Sequence, residues 1–154
     1  MGGISVGGKV PDFVVASTAG EFRLRTRPEG HLVVYFYPRD NTPGCTTEGS
    51  DFRDLAPQFR RARTAILGIS TDSLESHRRF RAKLELPFEL GSDPDHEVAS
   101  LFGAWKQKNL YGRKMMGIER STFLIDSKGI LRREWRKVRV AGHAEEVLAA
   151  ARGL

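Results

Sequence analysis

Two short apolar runs in the first half of the chain predict neighbouring buried strands. Residues His31 to Tyr37 (HLVVYFY) and Ala65 to Ser70 (AILGIS) are dominated by apolar, β-branched and aromatic side chains without alternation. This pattern is typical of strands that are buried on both faces. The segment between them, Glu48 to Arg63, has the length of a helix. The pattern therefore predicts a βαβ unit with parallel strands.

Helical spacing returns after the second strand. Ser73 to Leu84 carries apolar residues at helical intervals, and Leu86-Pro87 ends this helix. In the pentad Asp93 to Glu97 (DPDHE), an Asp is well placed to cap a helix that runs through Val98, Leu101 and Phe102. The pentad superficially resembles a metal site, but its acids are adjacent and no other ligand cluster accompanies them. We therefore expect capping.

The last third of the chain predicts a hairpin and a closing helix. Ser121 to Ile125 and Ile130 to Trp135 have the pattern of strands, and a Gly-containing turn, Asp126 to Gly129, joins them. An amphipathic helix follows from about His143 to Ala151, with Val147 and Leu148 facing the core.

The order of these elements indicates the fold class. Two strands alternate with two helices, and a further helix, a hairpin and a last helix follow. This order fits an α/β protein with a thioredoxin-like fold, in which helices flank a central mixed β-sheet. Because no repeat and no Pro/Gly/Ser-rich linker divides the chain, we expect residues 1–154 to form a single domain.

The composition indicates a globular protein and argues against a membrane-spanning or secreted one. Hydrophobic residues make up 40% of the 154 residues and charged residues 29%, which is ordinary for a globular protein. No apolar run approaches the ~20 residues that span a bilayer. Met1 to Val6 has neither the basic start nor the apolar stretch of a secretory signal. We expect a cytoplasmic protein without a membrane partner.

The net charge of +6 raises the alternative of a nucleic-acid-binding domain. Lys and Arg are scattered along the chain rather than clustered, with small groups such as Arg60-Arg61 and Arg78-Arg79. Aromatic residues lie mostly within the apolar segments. We therefore expect a solvated basic surface that steers anions weakly, and no nucleic-acid partner.

The chain contains one cysteine, Cys45, which excludes an intrachain disulfide and a CxxC motif. The four histidines are far apart and show no HxxxH or HxH spacing: His31, His77, His96 and His143. We therefore expect no zinc or other metal. Any cysteine chemistry must use a lone thiol.

The position of Cys45 distinguishes it from an ordinary buried cysteine. The segment Pro38 to Phe52 leaves the first strand, passes through a Pro/Gly-rich loop and begins a helix near Cys45. Unpaired N–H groups and the macrodipole at a helix N-terminus favour an anion, and therefore the thiolate. A lone cysteine is more often a small hydrophobic residue of the core. Its place in a polar loop at a helix start favours the reactive alternative.

Motifs around Cys45 resemble the peroxiredoxins. Pro38, Thr42 and Cys45 match the signature P-x-x-x-T-x-x-C, and the stretch FYPRDNTPGCTTEGSDFRD is similar to the bacterioferritin comigratory protein branch, or Q type. The similarity continues in the same order over nearly the whole chain, in Leu67 to Asp72, Ser92-Asp93, Gly117 and Arg120 to Asp126.

The resemblance implies a peroxidase that needs no cofactor. Cys45 is expected to attack hydrogen peroxide and organic hydroperoxides, to become a sulfenic acid, and to be reduced again by thioredoxin, glutaredoxin or a small thiol. The rival is a non-enzymatic thioredoxin-fold redox sensor or holdase.

The resemblance also implies roles for the residues around Cys45. The Thr42 hydroxyl is expected to bond the thiolate–peroxide pair, because its spacing to Cys45 matches the signature; the alternative is a turn or helix-start hydroxyl. Pro38 is expected to shape the loop and shield the thiolate. Arg120 is expected to stabilise the thiolate and hold a peroxide oxygen. For Glu48, two interpretations stay open: it orients an Arg, or it is a first-turn acid that the dipole favours.

One position departs from the family. Many Q-type relatives carry a resolving cysteine five residues after the first, where this chain has Ser50. Either this is a natural one-cysteine enzyme, or a resolving cysteine was replaced in this chain. We expect a monomer or weak homodimer.

Overall fold

A mixed seven-stranded sheet forms the centre of the computed structural model, which describes residues 3–154. The strands, in chain order, are β1 (Val14–Ser17), β2 (Gly20–Arg23), β3 (His31–Phe36), β4 (Thr64–Ser70), β5 (Glu89–Ser92), β6 (Trp105–Leu110), β7 (Arg113–Ile118), β8 (Ser121–Ile125) and β9 (Leu131–Trp135). The helices are α1 (Pro43–Arg61), α2 (Leu74–Leu84), α3 (Glu97–Leu101) and α4 (His143–Arg152). A short 3-10 helix covers Leu24–Thr26. Within residues 3–154, no helix has both the length and the apolar composition needed to cross a membrane.

The strand order is β2-β1-β5-β4-β3-β8-β9, and β6 pairs with β7 in a separate hairpin. Strands β3, β4 and β5 run parallel, which confirms the predicted βαβ unit. Strand β8 runs antiparallel to β3, with Ser121 opposite Phe36. The carboxyl ends of β3, β4 and β5 therefore meet the amino end of β8 at one edge of the sheet, which we call the upper edge.

Both faces of the sheet are covered, because side chains alternate along each strand. Val33 and Tyr35 of β3 pack in one core with α1, α2 and α4. Val34 and Phe36 pack in the other core with α3 and the N-terminal strand β1. Val147 of α4 is fully buried in the first core, as its helical spacing predicts. This is the mixed sheet with flanking helices that the sequence predicts.

The predicted cap of α3 is confirmed. The carboxylate of Asp93 accepts hydrogen bonds from the backbone N–H groups of Val98, at 3.2 Å, and Ala99, at 2.8 Å. Helix α2 begins after Ser73, whose hydroxyl accepts from the Ser76 N–H at 3.1 Å. Both caps satisfy donors that a helix leaves unpaired in its first turn.

Helix α1 begins at Pro43, two residues before Cys45, in agreement with the expected start near Cys45. Thr42 keeps an extended backbone and Pro43, with its fixed φ, occupies the first helical position, so the helix starts at the proline. No local pattern in the sequence predicts the strands β1, β2, β5, β6 and β7. These strands have four to six residues, and several are polar or exposed, so they lack a continuous apolar run.

The cap of α3 gives a testable prediction for stability. Asp93→Ala removes the acceptor of two N–H groups and should lower the free energy of unfolding by about 1–2 kcal/mol. Asp95→Ala is the matched control, because Asp95 lies in the same pentad but is exposed; it should change stability by less than about 0.5 kcal/mol. Urea denaturation of both variants checks this. Equal losses would show that Asp93 does not act as a cap.

Candidate active site

Cys45 lies in the first turn of α1, at the upper edge of the sheet. The first intrahelical bond of α1 runs from the Thr46 N–H to the Thr42 carbonyl, at 2.9 Å. The N–H groups before Thr46, those of Gly44 and Cys45, therefore have no acceptor within the helix. The Cys45 side chain points into the core, and the residue is only 2% exposed. The thiol thus combines shielding from bulk water with the positive end of a helix.

Arg120 reaches this thiol from the neighbouring strand β8, which it directly precedes. Because Ser121 pairs with Phe36, the residue before β8 lies beside the loop that follows β3. The Arg120 Nη2 donates to Cys45 Sγ at 3.4 Å, and Nη1 donates to Glu48 Oε1 at 2.6 Å. The two strands and one helix thereby bring together residues that are 75 positions apart.

Gly44 allows the guanidinium to approach α1. A Cβ atom at this position would lie 3.1 Å from Arg120 Nη2, closer than most side-chain contacts allow. Any larger residue would push Arg120 away from the thiol or strain the first turn. The glycine of the loop therefore contributes to the site through the space it leaves.

Glu48 is a buried acid on α1, one turn after Cys45, with its side chain only 2% exposed. Burial raises the pKa of Glu48 to about 7, an effect larger than the opposite effect of Arg120. Its second oxygen, Oε2, is buried without a hydrogen-bond partner among the described residues. Burial also lowers the pKa of Arg120, but Glu48 and then Cys45 raise it, with a net increase. The guanidinium therefore stays charged while the carboxyl group can titrate near neutral pH.

The other residues singled out in the sequence lie in the loop after β3 and on α1. Pro38 is partly buried in the loop directly after β3. Thr42 is partly exposed, and its hydroxyl donates to the Arg39 carbonyl at 3.0 Å, so the oxygen keeps its acceptor capacity. Ser50 lies inside the continuous helix α1, five residues after Cys45. Five helical positions correspond to a rise of ~7.5 Å and ~140° beyond one turn, so Ser50 faces away from Cys45.

A buried polar network, which the sequence analysis does not predict, holds the loop between β3 and α1. Asp40, at 5% exposure, accepts hydrogen bonds from the Tyr37 hydroxyl at 2.7 Å, and from His77 Nδ1 and the Ser76 hydroxyl at 2.8 Å each. The Asp40 N–H donates to Asp72 Oδ2 at 2.8 Å. The loop that carries Thr42 is thus fixed to β4 and α2.

His77 is the centre of this network and is fully buried. Its Nε2 lies 2.8 Å from the Gly91 carbonyl oxygen, which only accepts, and its Nδ1 faces the Asp40 carboxylate. Nε2 therefore donates to the Gly91 carbonyl oxygen, and the ring is held between this acceptor and the carboxyl group of Asp40. In the sequence, the one indication that His77 is buried is its spacing, because His77 falls with Phe80 and Leu84 on the apolar face of α2.

The same network contains three side chains that could offer ligands to a metal ion. Atoms of Asp40, Asp72 and His77 lie within 4.8 Å of one another. Both carboxylates already accept hydrogen bonds, and the His77 ring is bonded at both nitrogens. The hydrogen bonds satisfy these groups without a cation.

Together, the fold and the site define a class of protein. A shielded thiol at a helix N-terminus, in contact with a guanidinium, is suited to nucleophilic attack on a small electrophile. The AhpC/TSA family matches residues 6–134. The chain therefore belongs to the peroxiredoxins, which are thiol-dependent peroxidases, and within them to the bacterioferritin comigratory, or Q, type.

Individual relatives support this assignment. Peroxiredoxin Bcp of Xanthomonas campestris pv. campestris is 54% identical over 127 residues, which cover 82% of this chain and 79% of the relative. Peroxiredoxin Bcp of Bacillus subtilis is 47% identical over 146 residues, covering 94% and 93%. A structure of Xanthomonas campestris peroxiredoxin Q has a TM-score of 0.87 at 48% identity, covering 92% of this chain and 90% of that one. These structures share the thioredoxin fold, as the sequence predicts.

Glu48 gives a prediction for the pH dependence of stability. An acid whose pKa is higher in the folded state loses stability as pH rises from its unfolded pKa to its folded pKa. Between pH 4.5 and about 7, the parent should therefore lose free energy of unfolding relative to Glu48→Gln. The expected loss is roughly 2–4 kcal/mol. Urea denaturation across this pH range measures the difference between the two proteins.

The control is Glu145→Gln, which removes an exposed acid of α4 and should give a difference from the parent that does not change with pH. A parent that gains stability relative to Glu48→Gln as pH rises would show that Arg120, rather than burial, dominates the ionisation of Glu48.

Proposed function

We propose that Cys45 is the peroxidatic cysteine of an enzyme that reduces hydrogen peroxide and organic hydroperoxides. The contact between Arg120 Nη2 and Cys45 Sγ, in the first turn of α1, carries this proposal. The thiolate attacks one peroxide oxygen, an S–O bond forms, and the O–O bond breaks. Sulfur loses two electrons to give a sulfenic acid, and the leaving hydroxide or alkoxide takes a proton from solvent. A related Xanthomonas campestris structure is described in terms of alkyl peroxide reduction, which supports the substrate class.

Arg120 has two tasks in this mechanism. Its charge stabilises the thiolate, and a guanidinium beside the sulfur can also bind a peroxide oxygen as negative charge develops on it. Glu48 orients this guanidinium through the 2.6 Å contact, so of the two interpretations left open by the sequence the geometry favours orientation. Glu48 binds Nη1 of the guanidinium and Cys45 contacts Nη2. Arg120 is therefore shared between the carboxylate and the sulfur.

The loop residues complete the site. Because the Thr42 hydroxyl donates to the Arg39 carbonyl, its oxygen is available to accept a hydrogen bond from the O–H group of a bound hydroperoxide. Pro38 has no polar side-chain atom and limits the access of water to the thiolate. The network around Asp40 fixes the loop that positions both residues.

A thiol from outside the chain completes the cycle. Cys45 is the single cysteine, and Ser50 occupies the position where many relatives have a resolving cysteine. The sulfenic acid therefore condenses with an external thiol, releasing water, and a second thiol reduces the mixed disulfide. Thioredoxin, glutaredoxin or a low-molecular-weight thiol can serve as the donor. A reducing compartment such as the cytoplasm supplies these donors, and no step requires more than a monomer or weak homodimer.

The function is tested by following peroxide consumption with thioredoxin, glutaredoxin or a small thiol as the sole reductant. The parent should turn over with at least one of them. Cys45→Ser should abolish turnover and keep the circular dichroism spectrum, because a hydroxyl replaces a thiol of similar shape. Slow, unselective oxidation of Cys45 in the parent would instead indicate a redox sensor or holdase.

The supporting residues give a separate prediction for the peroxide step. Arg120→Met and Thr42→Val should each slow the oxidation of Cys45 by about 10²–10³-fold, the usual effect of removing one group that stabilises a transition state. Stopped-flow measurement of the single oxidation step isolates this effect from reduction by the thiol.

Two matched controls accompany these variants. Arg132→Met removes an arginine that pairs with Asp126 at the opposite end of β8, and Thr47→Val removes a hydroxyl one turn further along α1. Both should oxidise at nearly the parental rate. Parental rates for Arg120→Met and Thr42→Val as well would contradict the proposed roles.

A further inference from the structure

The hydroxyl of Thr42 is bonded to a peptide group that has a second partner at its other end. Thr42 Oγ1 donates to the Arg39 carbonyl oxygen at 3.0 Å. The Asp40 N–H belongs to the same planar peptide unit and donates to Asp72 Oδ2 at 2.8 Å. Because the unit is rigid, the carboxylate of Asp72 fixes the plane in which the Arg39 carbonyl oxygen meets the Thr42 hydroxyl.

Asp72 is held in place by the sheet. It follows β4 directly, and the Ser70 hydroxyl at the end of that strand donates to Asp72 Oδ2 at 2.5 Å. The hydroxyl of Ser92, the last residue of β5, donates to the Asp72 carbonyl oxygen at 2.5 Å. Both serines are buried. The carboxylate is therefore positioned by the upper edge of the sheet and not by the loop that it contacts.

The turn between Arg39 and Thr42 transmits this position to the hydroxyl. The Asp40 side chain is bonded within the buried network, and Asn41 has a φ of 66°, a left-handed backbone that asparagine tolerates in turns. The Thr42 hydroxyl reaches back three positions to the Arg39 carbonyl. Its orientation therefore depends on the peptide unit that Asp72 holds.

The hydrogen bonds of this chain of groups all run in one direction. The Thr42 hydroxyl donates to one end of the peptide unit, and the N–H at the other end donates to a carboxylate. A negatively charged acceptor polarises the peptide unit, so its carbonyl oxygen becomes a stronger acceptor. The O–H bond of Thr42 is polarised in turn. Its oxygen thus becomes a stronger acceptor for the O–H group of a hydroperoxide.

We propose that Asp72 is a positioning residue for the peroxide step, because it orients and polarises the Thr42 hydroxyl through the peptide unit between Arg39 and Asp40. This inference rests on the proposed role of Thr42 in binding the hydroperoxide. Asp72 itself does not touch the substrate. Its effect is confined to reagents that donate a hydrogen bond to Thr42.

The test compares two reactions of Cys45: its oxidation by hydrogen peroxide, and its reaction with methyl methanethiosulfonate, an electrophile without a hydrogen-bond donor. Asp72→Ala should slow the oxidation by roughly threefold to tenfold and change the second reaction by less than about twofold, because it weakens one polarised contact with the peroxide. Asp72→Asn keeps an oxygen acceptor without the charge. Its oxidation rate should lie between those of the parent and Asp72→Ala, and it carries the comparison if the alanine variant does not fold.

The matched control is Ser73→Ala. It removes the cap of α2 one residue after Asp72 without touching the peptide unit, and it should leave the ratio of the two rates unchanged. A double-mutant cycle then tests the route of the effect. In a Thr42→Val background, Asp72→Ala should slow the oxidation no further, because the hydroxyl through which Asp72 acts is missing.

Three outcomes would overturn the inference. Equal slowing of both reactions by Asp72→Ala would show that Asp72 only shapes the loop. Equal slowing of the oxidation in the parent and in the Thr42→Val background would show that the effect does not pass through Thr42. A parental rate for Asp72→Ala beside a slow Thr42→Val would overturn this inference alone, whereas a parental rate for Thr42→Val would overturn the proposed role of Thr42 and this inference with it.

Discussion

The site depends on one guanidinium that is shared between a buried carboxyl group and a thiol. Without Arg120, Glu48 would be an unpaired acid inside the core, and the sulfur would lose its nearest positive charge. Burying a charge is costly unless a partner compensates it. The first turn of α1 and the start of β8 are therefore coupled, since a shift of either one leaves a buried group without its partner.

Several features of the fold serve this contact. The antiparallel register of β3 and β8 sets Arg120 beside the loop after β3, and Gly44 leaves the space that the guanidinium occupies. On the other side of the loop, the buried contact between Asp40 and His77 ties the loop to β4 and α2. The reactive turn thus lies between two anchors, and both rely on polar groups that are far apart in the sequence.

The sequence predicts the centre of the molecule better than its periphery. The strands at His31 and Ala65 have continuous apolar runs, so local patterns are sufficient there. The pentad before α3 also indicates an acidic cap, although the capping Asp93 lies three residues before the N-cap residue, His96. The strand β5 and the hairpin β6–β7 are short or polar, and they form because of neighbours that a local pattern does not contain. In the site, Cys45 and Arg120 could be identified through the motif. Asp40 and His77 could not, because their pairing depends on how α2 packs against the loop.

The burial of Cys45 has opposite consequences for its oxidation by a peroxide and for its reduction by a thiol. At 2% exposure, the sulfur is closed to the thiol of a protein, whereas a molecule as small as hydrogen peroxide needs far less space to reach it. Formation of a mixed disulfide therefore requires a change of shape that exposes Cys45. Oxidation of the sulfur favours the closed shape, whereas its reduction favours an open one. The balance between the two shapes therefore determines the lifetime of the sulfenic acid. During that lifetime, a second peroxide molecule competes with the thiol donor for the sulfenic acid. If the site opens too rarely, the sulfenic acid is over-oxidised to the sulfinic acid.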